Sequence, residues 1–320
     1  MTNPLKFLPM ILAQRGKQDL ERVPEKSSAV TVKKDDVLQY GQVMQTALAV
    51  AYAVGLTVVH RARPDTASKA LDLASGPGHY TLCLQTHLKY EDVTGIDLSE
   101  EMVALARKNA REMKLEERVA FQPGDITDLT KIGDNVFDLT SFTDAAHHMR
   151  APDDAALSET AAARNMRDLK EVGKVLSEMD RVTKPDGLVM VMDLARLRTA
   201  ALTENYVSTI GASFREKLPN FYQQFYDSMY AAWTYSELRT AIPQDSRRVW
   251  CHLVPKELPT TQVILGLPVG RQRAFLRKGY PWRPGDCPVP KEYRLDWFFA
   301  RTTLFSAKPK YIPAAVDNAA

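Results

Sequence analysis

Cysteine is scarce: Cys83, Cys251 and Cys287 are scattered through 320 residues, with no C-x-x-C spacing among them. That argues against a thiolate zinc site and against a disulfide framework, no other metal site is indicated, and a reducing cytoplasm fits best. Charge of one sign is equally short. The net charge is only +3 and no Lys/Arg block exceeds a pair, so charge demands no nucleic-acid partner. Long apolar runs are missing too. The greasiest segment, Ala47-Leu-Ala-Val-Ala-Tyr-Ala-Val-Gly-Leu-Thr-Val-Val59, falls short of the roughly 20 residues that span a bilayer and reads as a buried helix. The first thirteen residues have an apolar run broken by Pro9 and no charged leading region, so they are not read as a signal peptide. No internal repeat or low-complexity tract is evident. What remains, 45% hydrophobic and 25% charged residues, is ordinary globular composition for one large domain or two.

The chain is organised around Lys69-Ala-Leu-Asp-Leu-Ala-Ser-Gly-Pro-Gly-His-Tyr80. Ala70, Leu71, Leu73 and Ala74 give the short apolar run of a buried strand. Gly76 and Gly78 let the backbone turn tightly and approach a ligand with no Cβ in the way. His79 to His87 can begin a helix whose free N–H groups face that same ligand. Strand, glycine turn and helix in this order predict a nucleotide-type crevice. A dinucleotide fingerprint needs a third glycine for helix packing, and Cys83 stands near that place instead.

With Asp72 four residues before Gly76, this stretch resembles the first motif of the class I S-adenosylmethionine-dependent methyltransferases, acidic-x-x-x-Gly-x-Gly. The resemblance implies that Asp72, Gly76 and Gly78 hold the methionine end of that cofactor. Asp92-Val-Thr-Gly-Ile-Asp97 is a second strand ending in a carboxylate, followed by a helix that Ser99 can cap. Gly-Ile-Asp-Leu-Ser-Glu-Glu-Met is similar to the second family motif and makes Asp97 the ribose ligand. Val119-Ala-Phe-Gln-Pro-Gly-Asp-Ile126 gives a third short strand and a turn, in which Asp125 and Ile126 match the family pair that addresses the adenine amino group and ring; an Asp stabilising a turn after Gly124 is the alternative. Ala74, Ser75, Leu98, Met102, Gly124 and Thr143 complete the cofactor set implied by the resemblance. A fourth strand, 135–142, leads into Thr143-Asp-Ala-Ala-His-His-Met149, like the apolar-His-His exit of small-molecule members. The Asn/Asp-Pro-Pro-aromatic run of base-methylating enzymes is absent.

Residues 151–168 read as an Ala-rich helix capped by Asp153 or Asp154, and residues 170–182 as a further helix. Lys184-Pro-Asp-Gly187 then turns the chain into a fifth strand, 188–193. The family usually has Leu-Lys-Pro-Gly-Gly there; Thr183 and Asp186 depart from it, and Asp tolerates such turns. The expected fold is α/β, a Rossmann-like, doubly wound, mostly parallel seven-stranded sheet. An N-terminal helical lid (1–66), starting a helix at Asp35 or Asp36, precedes the cofactor-binding core (67–195). An inserted substrate cap (196–291), with proline-rich turns at 279–290, is followed by a final strand pair (292–310) and a tail (311–320). The resemblance covers residues 69–193.

By that resemblance the chain is a methyltransferase acting on a small, largely apolar or aromatic metabolite, by O- or C-methylation. His147 and His148 are the candidate bases, with Asp144 and Asp193 behind them. Tyr40 in the lid and Tyr222, Tyr226 and Tyr230 in the cap are candidate acceptor contacts. The alternative is an S-adenosylmethionine-binding protein without transfer, in a regulatory or scaffold role. A homodimer is compatible with either.

Overall fold

Apolar runs bounded by glycine, aspartate and proline pair into one sheet in this computed structural model. It describes residues 8–14, 16–25, 43, 49–152, 159–216, 218–253, 260–271, 289–291, 294, 297–298 and 310–312. The strands are β1 (Lys69–Leu73), β2 (Asp92–Asp97), β3 (Val119–Pro123), β4 (Phe137–Thr143), β5 (Thr183–Leu194), β6 (Val249–Leu253), β7 (Thr261–Leu267) and β8 (Lys310–Ile312). Their order in the sheet is β3-β2-β1-β4-β5-β7-β6-β8. The first five pair in parallel, and β7, β6 and β8 join antiparallel at one side.

From β1 the chain steps outward to β2 and β3, then returns to lay β4 on the other side of β1. Connections leave in opposite directions at that reversal, which opens a crevice above the carboxyl ends of β1 and β4. Leu73 pairs with Ile96 of β2 and Phe142 of β4. Residues 74–78, 97–99 and 143–148 therefore emerge side by side.

Helices cover both faces. They are α1 (Leu8–Ala13), α2 (Ala49–Ala62), α3 (His79–Leu88), α4 (Glu100–Glu112), α5 (Ala161–Val182), α6 (Ala200–Ile210), α7 (Ala212–Arg215), α8 (Pro219–Ala231) and α9 (Tyr235–Thr240). The strand period of two decides which core each residue joins. Leu188, Met190 and Met192 of β5 pack with α2, α3 and α4, whereas Val189 and Val191 pack with α5 and α9. Buried on both faces, residues 188–192 of β5 read as an unbroken apolar run, and the strand begins earlier than expected, at Thr183. Ser99 caps α4 by accepting from Met102 N at 3.2 Å, and Glu100 and Glu101 complement the helix dipole in its first turn.

Some expectations change. Residues 161–182 form one helix capped by Thr160, which accepts from Ala163 N at 3.2 Å, because nothing between Asp168 and Lys170 breaks it. Asp153 and Asp154 lie outside the described residues. The segment 196–291 contains a helical cap, α6 to α9, but also β6 and β7. Those two strands are apolar enough to be buried almost throughout, and they find partners in the sheet. Arg294, Trp297 and Phe298 are helical where a strand was expected. The sheet gains a three-residue eighth strand, β8, which straddles the expected boundary at residue 310. The end of α2 before Pro64 is as expected. Tyr40, the helix start at Asp35 or Asp36, the turns at 279–288 and the strand at 302–307 lie outside the described residues.

Candidate functional site

The glycine loop is built by the backbone. Ala74, Gly76 and Gly78 all have positive φ, at 52°, 52° and 82°. Ala74 pays a conformational penalty that only a well-held loop sustains. Gly78 N donates to Ser75 O at 2.9 Å, and Ser75 N to Ile96 O at 3.0 Å, which pins the loop to β2. A Cβ on Gly78 would lie 2.5 Å from Phe121 Cζ, whereas one on Gly76 would meet nothing within 4 Å. Gly78 is also the N-cap of α3, and no side chain caps that helix. Its first N–H groups and positive dipole end are thus offered to whatever occupies the crevice.

The three acids divide the work. Asp97, at the end of β2, accepts from Gly76 N at 2.7 Å and Ser99 N at 2.9 Å. It joins the glycine loop to the start of α4 and stays partly open to the crevice, and burial raises its pKa. Asp72 is buried within β1, its oxygens taken by Thr81 Oγ1 at 2.6 Å and Ser141 Oγ at 2.7 Å. It braces β1 against α3 and β4 from behind the loop, and burial pushes its carboxyl up to about 6. Asp125 is exposed and accepts from Thr127 N at 2.8 Å, an Asx turn, directly before buried Ile126. Gly124 N donates to Asp97 O at 3.0 Å, bringing this turn beside the ribose candidate. Around them, Ser75, Met102 and Thr143 are buried, Ala74 and Gly124 are half-buried, and Leu98 stands 66% exposed.

The exit of β4 brings together groups far apart in sequence. Asp144 takes a left-handed φ of 51°, and a single 3-10 turn, Ala146–His148, follows. His147 is buried, with Nδ1 2.6 Å from Asp193 Oδ1 at the end of β5. His148 lies beside it, 4.0 Å between ring centroids and tilted by 42°. Its own Nδ1 lies 2.6 Å from Glu25 Oε2, and its ring remains 39% exposed. The other Glu25 oxygen accepts from Ser228 Oγ of α8 at 2.5 Å.

Burial alone would lower the imidazolium of His148, but Glu25, then Asp193 and Asp97, outweigh it and hold the pKa above the ordinary range. Burial alone would raise Glu25; His148, His147 and Ser228 reverse that and bring it down to about 2. Asp144 is pushed up to about 7 by burial and the neighbouring Asp193 charge.

Glu25 sits at the end of a strap, residues 16–25, which runs across the cap. Arg22 fastens the strap: it donates to Asp168 Oδ2 at 2.8 Å, Ala231 O at 2.7 Å and His147 O at 3.2 Å, and lies 3.7 Å from the centre of the Trp233 ring. The cap tyrosines divide differently. Tyr222 and Tyr226 pack against Leu197, Leu202, Val207 and Met229 in the cap's own core, and Tyr226 OH donates to Tyr230 OH at 3.3 Å. Of α8, Ser228 joins the site through Glu25.

Comparison with known proteins places this architecture. A family model described as a methyltransferase domain matches residues 64–233, more than half of the chain. A demethylmenaquinone methyltransferase of Leptospira interrogans is 26% identical over 128 residues, covering 40% of this chain and 43% of the relative. One from Bacteroides fragilis is 29% identical over 132 residues, covering 41% and 45%. The chain thus spans less than half the length of these curated relatives. Among solved structures, the plantazolicin methyltransferase BpumL in complex with SAH shares the fold, with a TM-score of 0.52 and 14% identity over 75% of this chain and 93% of that one. With loop, acids and sheet order in agreement, the chain belongs to the methyltransferase-domain family of class I S-adenosylmethionine-dependent methyltransferases.

Proposed function

We propose that this chain transfers the methyl group of S-adenosylmethionine to a small, largely apolar or aromatic acceptor, with a ring carbon of a quinol-like molecule as the favoured site. The observation that carries this reading is the half-exposed His148 at the mouth of the crevice, with Asp97 close enough to bias its charge. The names of the relatives point the same way, toward quinone rings.

The residues present fit the cofactor. Ser75 Oγ and Asp144 Oδ2 are buried polar atoms without a protein partner at the two lips of the crevice, and the N-terminus of α3 lacks a side-chain cap. Asp97 would take the ribose diol, the Asp125–Ile126 pair the adenine, and the glycine loop the methionine end, with Asp72 bracing it. When bound, the cofactor supplies an electrophilic methyl group.

The protein's part is then alignment, exclusion of water and management of one proton. On a phenolic acceptor, His148 Nε2 takes the hydroxyl proton, which raises electron density at the adjacent ring carbon. Methylation there replaces C–H by C–CH3, so the ring proton must leave as oxygen regains its own, a net release of one proton. Taking the hydroxyl proton requires the neutral imidazole, so turnover should rise with pH through the elevated His148 pKa. His147, buried against Asp193, fixes the turn from behind.

The test is label transfer from methyl-labelled cofactor to a panel of reduced, demethylated quinols and simple phenols, with the product mapped to ring carbon or oxygen. Transfer to a ring carbon, and a fall of about 10²–10⁴-fold in turnover for His148→Ala at little change in cofactor affinity, is the expected result. Cofactor binding by calorimetry with no transfer to any acceptor would overturn it in favour of a binding role.

A further inference from the structure

We propose that Glu25 is a positioning residue for the methyl transfer: delivered by the 16–25 strap, it holds His148 by Nδ1 so that Nε2 is presented to the acceptor. This rests on the reading of His148 as the base.

Three geometric facts carry it. Glu25 is a buried carboxylate, 7% exposed, in a segment without regular secondary structure. A buried carboxylate in such a place is costly unless it is paired and hydrogen-bonded. Both of its oxygens are committed, one to Ser228 Oγ and one to His148 Nδ1. With Nδ1 held, rotation of the ring is restricted, and the remaining nitrogen is the one free to exchange a proton.

Arg22, three residues earlier, fixes the delivery. Its ion pair with Asp168 is buried, and it also donates to the carbonyl of His147 in the turn that carries the base. Arg150 NH1 donates to the backbone carbonyl of Glu25 itself at 3.1 Å. The strap is thus tied both to the histidine turn and to the cap, and the base is set only when the strap is docked.

The other titratable groups facing this turn are Asp97 from β2, Asp144 and His147 from the β4 exit, and Asp193 from β5. The cations Arg22 and Arg150 are occupied with carbonyls on either side. Glu25 is the one of these acids in contact with the His148 ring among the described residues.

The experiment compares wild type, Glu25→Gln, Glu25→Asp and His148→Ala as full chains, with folding checked by circular dichroism. It reads the His148 ring titration by NMR, and kcat against pH with S-adenosylmethionine and a phenolic acceptor. In Glu25→Gln, the ring midpoint and the acid limb of kcat should move together to lower pH, by roughly one unit or more. The plateau should fall by roughly 10- to 100-fold, as a misplaced base predicts. Glu25→Asp should recover part of both, because it restores the charge. A midpoint unmoved in Glu25→Gln, with His148→Ala inactive, would overturn the Glu25 assignment alone. Full activity in His148→Ala would remove the base reading, and the catalytic part of this proposal with it. Ligand atoms of Glu25, His147 and His148 lie within 4.8 Å of one another. Activity lost on dialysis against a chelator and restored by zinc would therefore overturn the proposal in favour of a metal.

Discussion

One added methyl at each loop glycine should separate the two demands on the loop. At Gly78, φ is +82°, and a Cβ would sit 2.5 Å from Phe121 Cζ and 3.0 Å from Ala106 Cβ. The left-handed backbone costs an L residue about 1–2 kcal/mol, and overpacking a close-packed site adds about 1–3 kcal/mol. The Phe121 ring cannot retreat over Gly95, whose missing Cβ it already replaces at 2.5 Å. Gly78→Ala should therefore lose about 2–5 kcal/mol of folding stability. At Gly76, φ is +52° and nothing lies within 4 Å of the Cβ position, so the loss should stay near 1 kcal/mol. On the proposed reading, that open space is where the backbone meets the cofactor. A methyl there should weaken S-adenosylmethionine binding by about 1–3 kcal/mol, roughly 5- to 150-fold. Urea midpoints report the first effect and calorimetric titration the second. Equal stability losses in the two variants, or wild-type affinity in Gly76→Ala, would refute this division.

Two further outcomes follow from the acids. Asp97→Ala should weaken cofactor binding by about 1–3 kcal/mol, the scale for lost charge-assisted hydrogen bonds; unchanged affinity with the fold intact by circular dichroism would remove the ribose assignment. Asp144 is raised on folding to about 7 by burial and then Asp193, so its contribution is intact below its unfolded value near 3.8 and is lost as pH rises through 7. Asp144→Asn should stabilise the protein by about 2–4 kcal/mol near pH 8 and by almost nothing near pH 4, and the left-handed φ of 51° suits Asn equally. Thermal melts at the two pH values check it, and no gain at the higher one would contradict the burial argument.

The parallel half of the fold was legible because its signals are local. Gly76 and Gly78 announce positive φ, Ser99 announces a cap, Asp97 ends its strand, and Asp125 follows its own by two residues. The antiparallel side carries no such local signal. Val249-Trp-Cys-His-Leu253 is apolar, but only pairing with Thr261–Leu267 reveals it as sheet rather than cap. Lys184-Pro-Asp-Gly187, expected as a turn, is instead the irregular start of β5, where the register against β4 shifts, and it is another long-range product. Thr183 O, Lys184 O and Gly187 O all accept from Arg248, at 2.9, 2.7 and 2.6 Å. A cation more than sixty residues later satisfies carbonyls that the irregular pairing leaves open.

The candidate site divides along the same line. Its cofactor half is written in backbone geometry, which a short stretch of sequence specifies. Its acceptor half is written in side-chain pairs: Glu25 meets His148 across 123 residues and Ser228 across 203. Nothing in the neighbourhood of Glu25 in sequence marks it as buried. Buried arginines hold these distant pieces together. Arg22 spans the strap, the histidine turn and the end of α8, while Arg196 donates to Leu20 O, Ala232 O and both oxygens of Glu237. Each offers more donors than one carboxylate can accept, so the remainder go to backbone carbonyls, which exist whatever the side chains are. Joined this way, the acceptor half rests on contacts made only once distant segments have met, whereas the loop at Gly78 is fixed locally, by a left-handed backbone and by Phe121 filling the place of a Cβ.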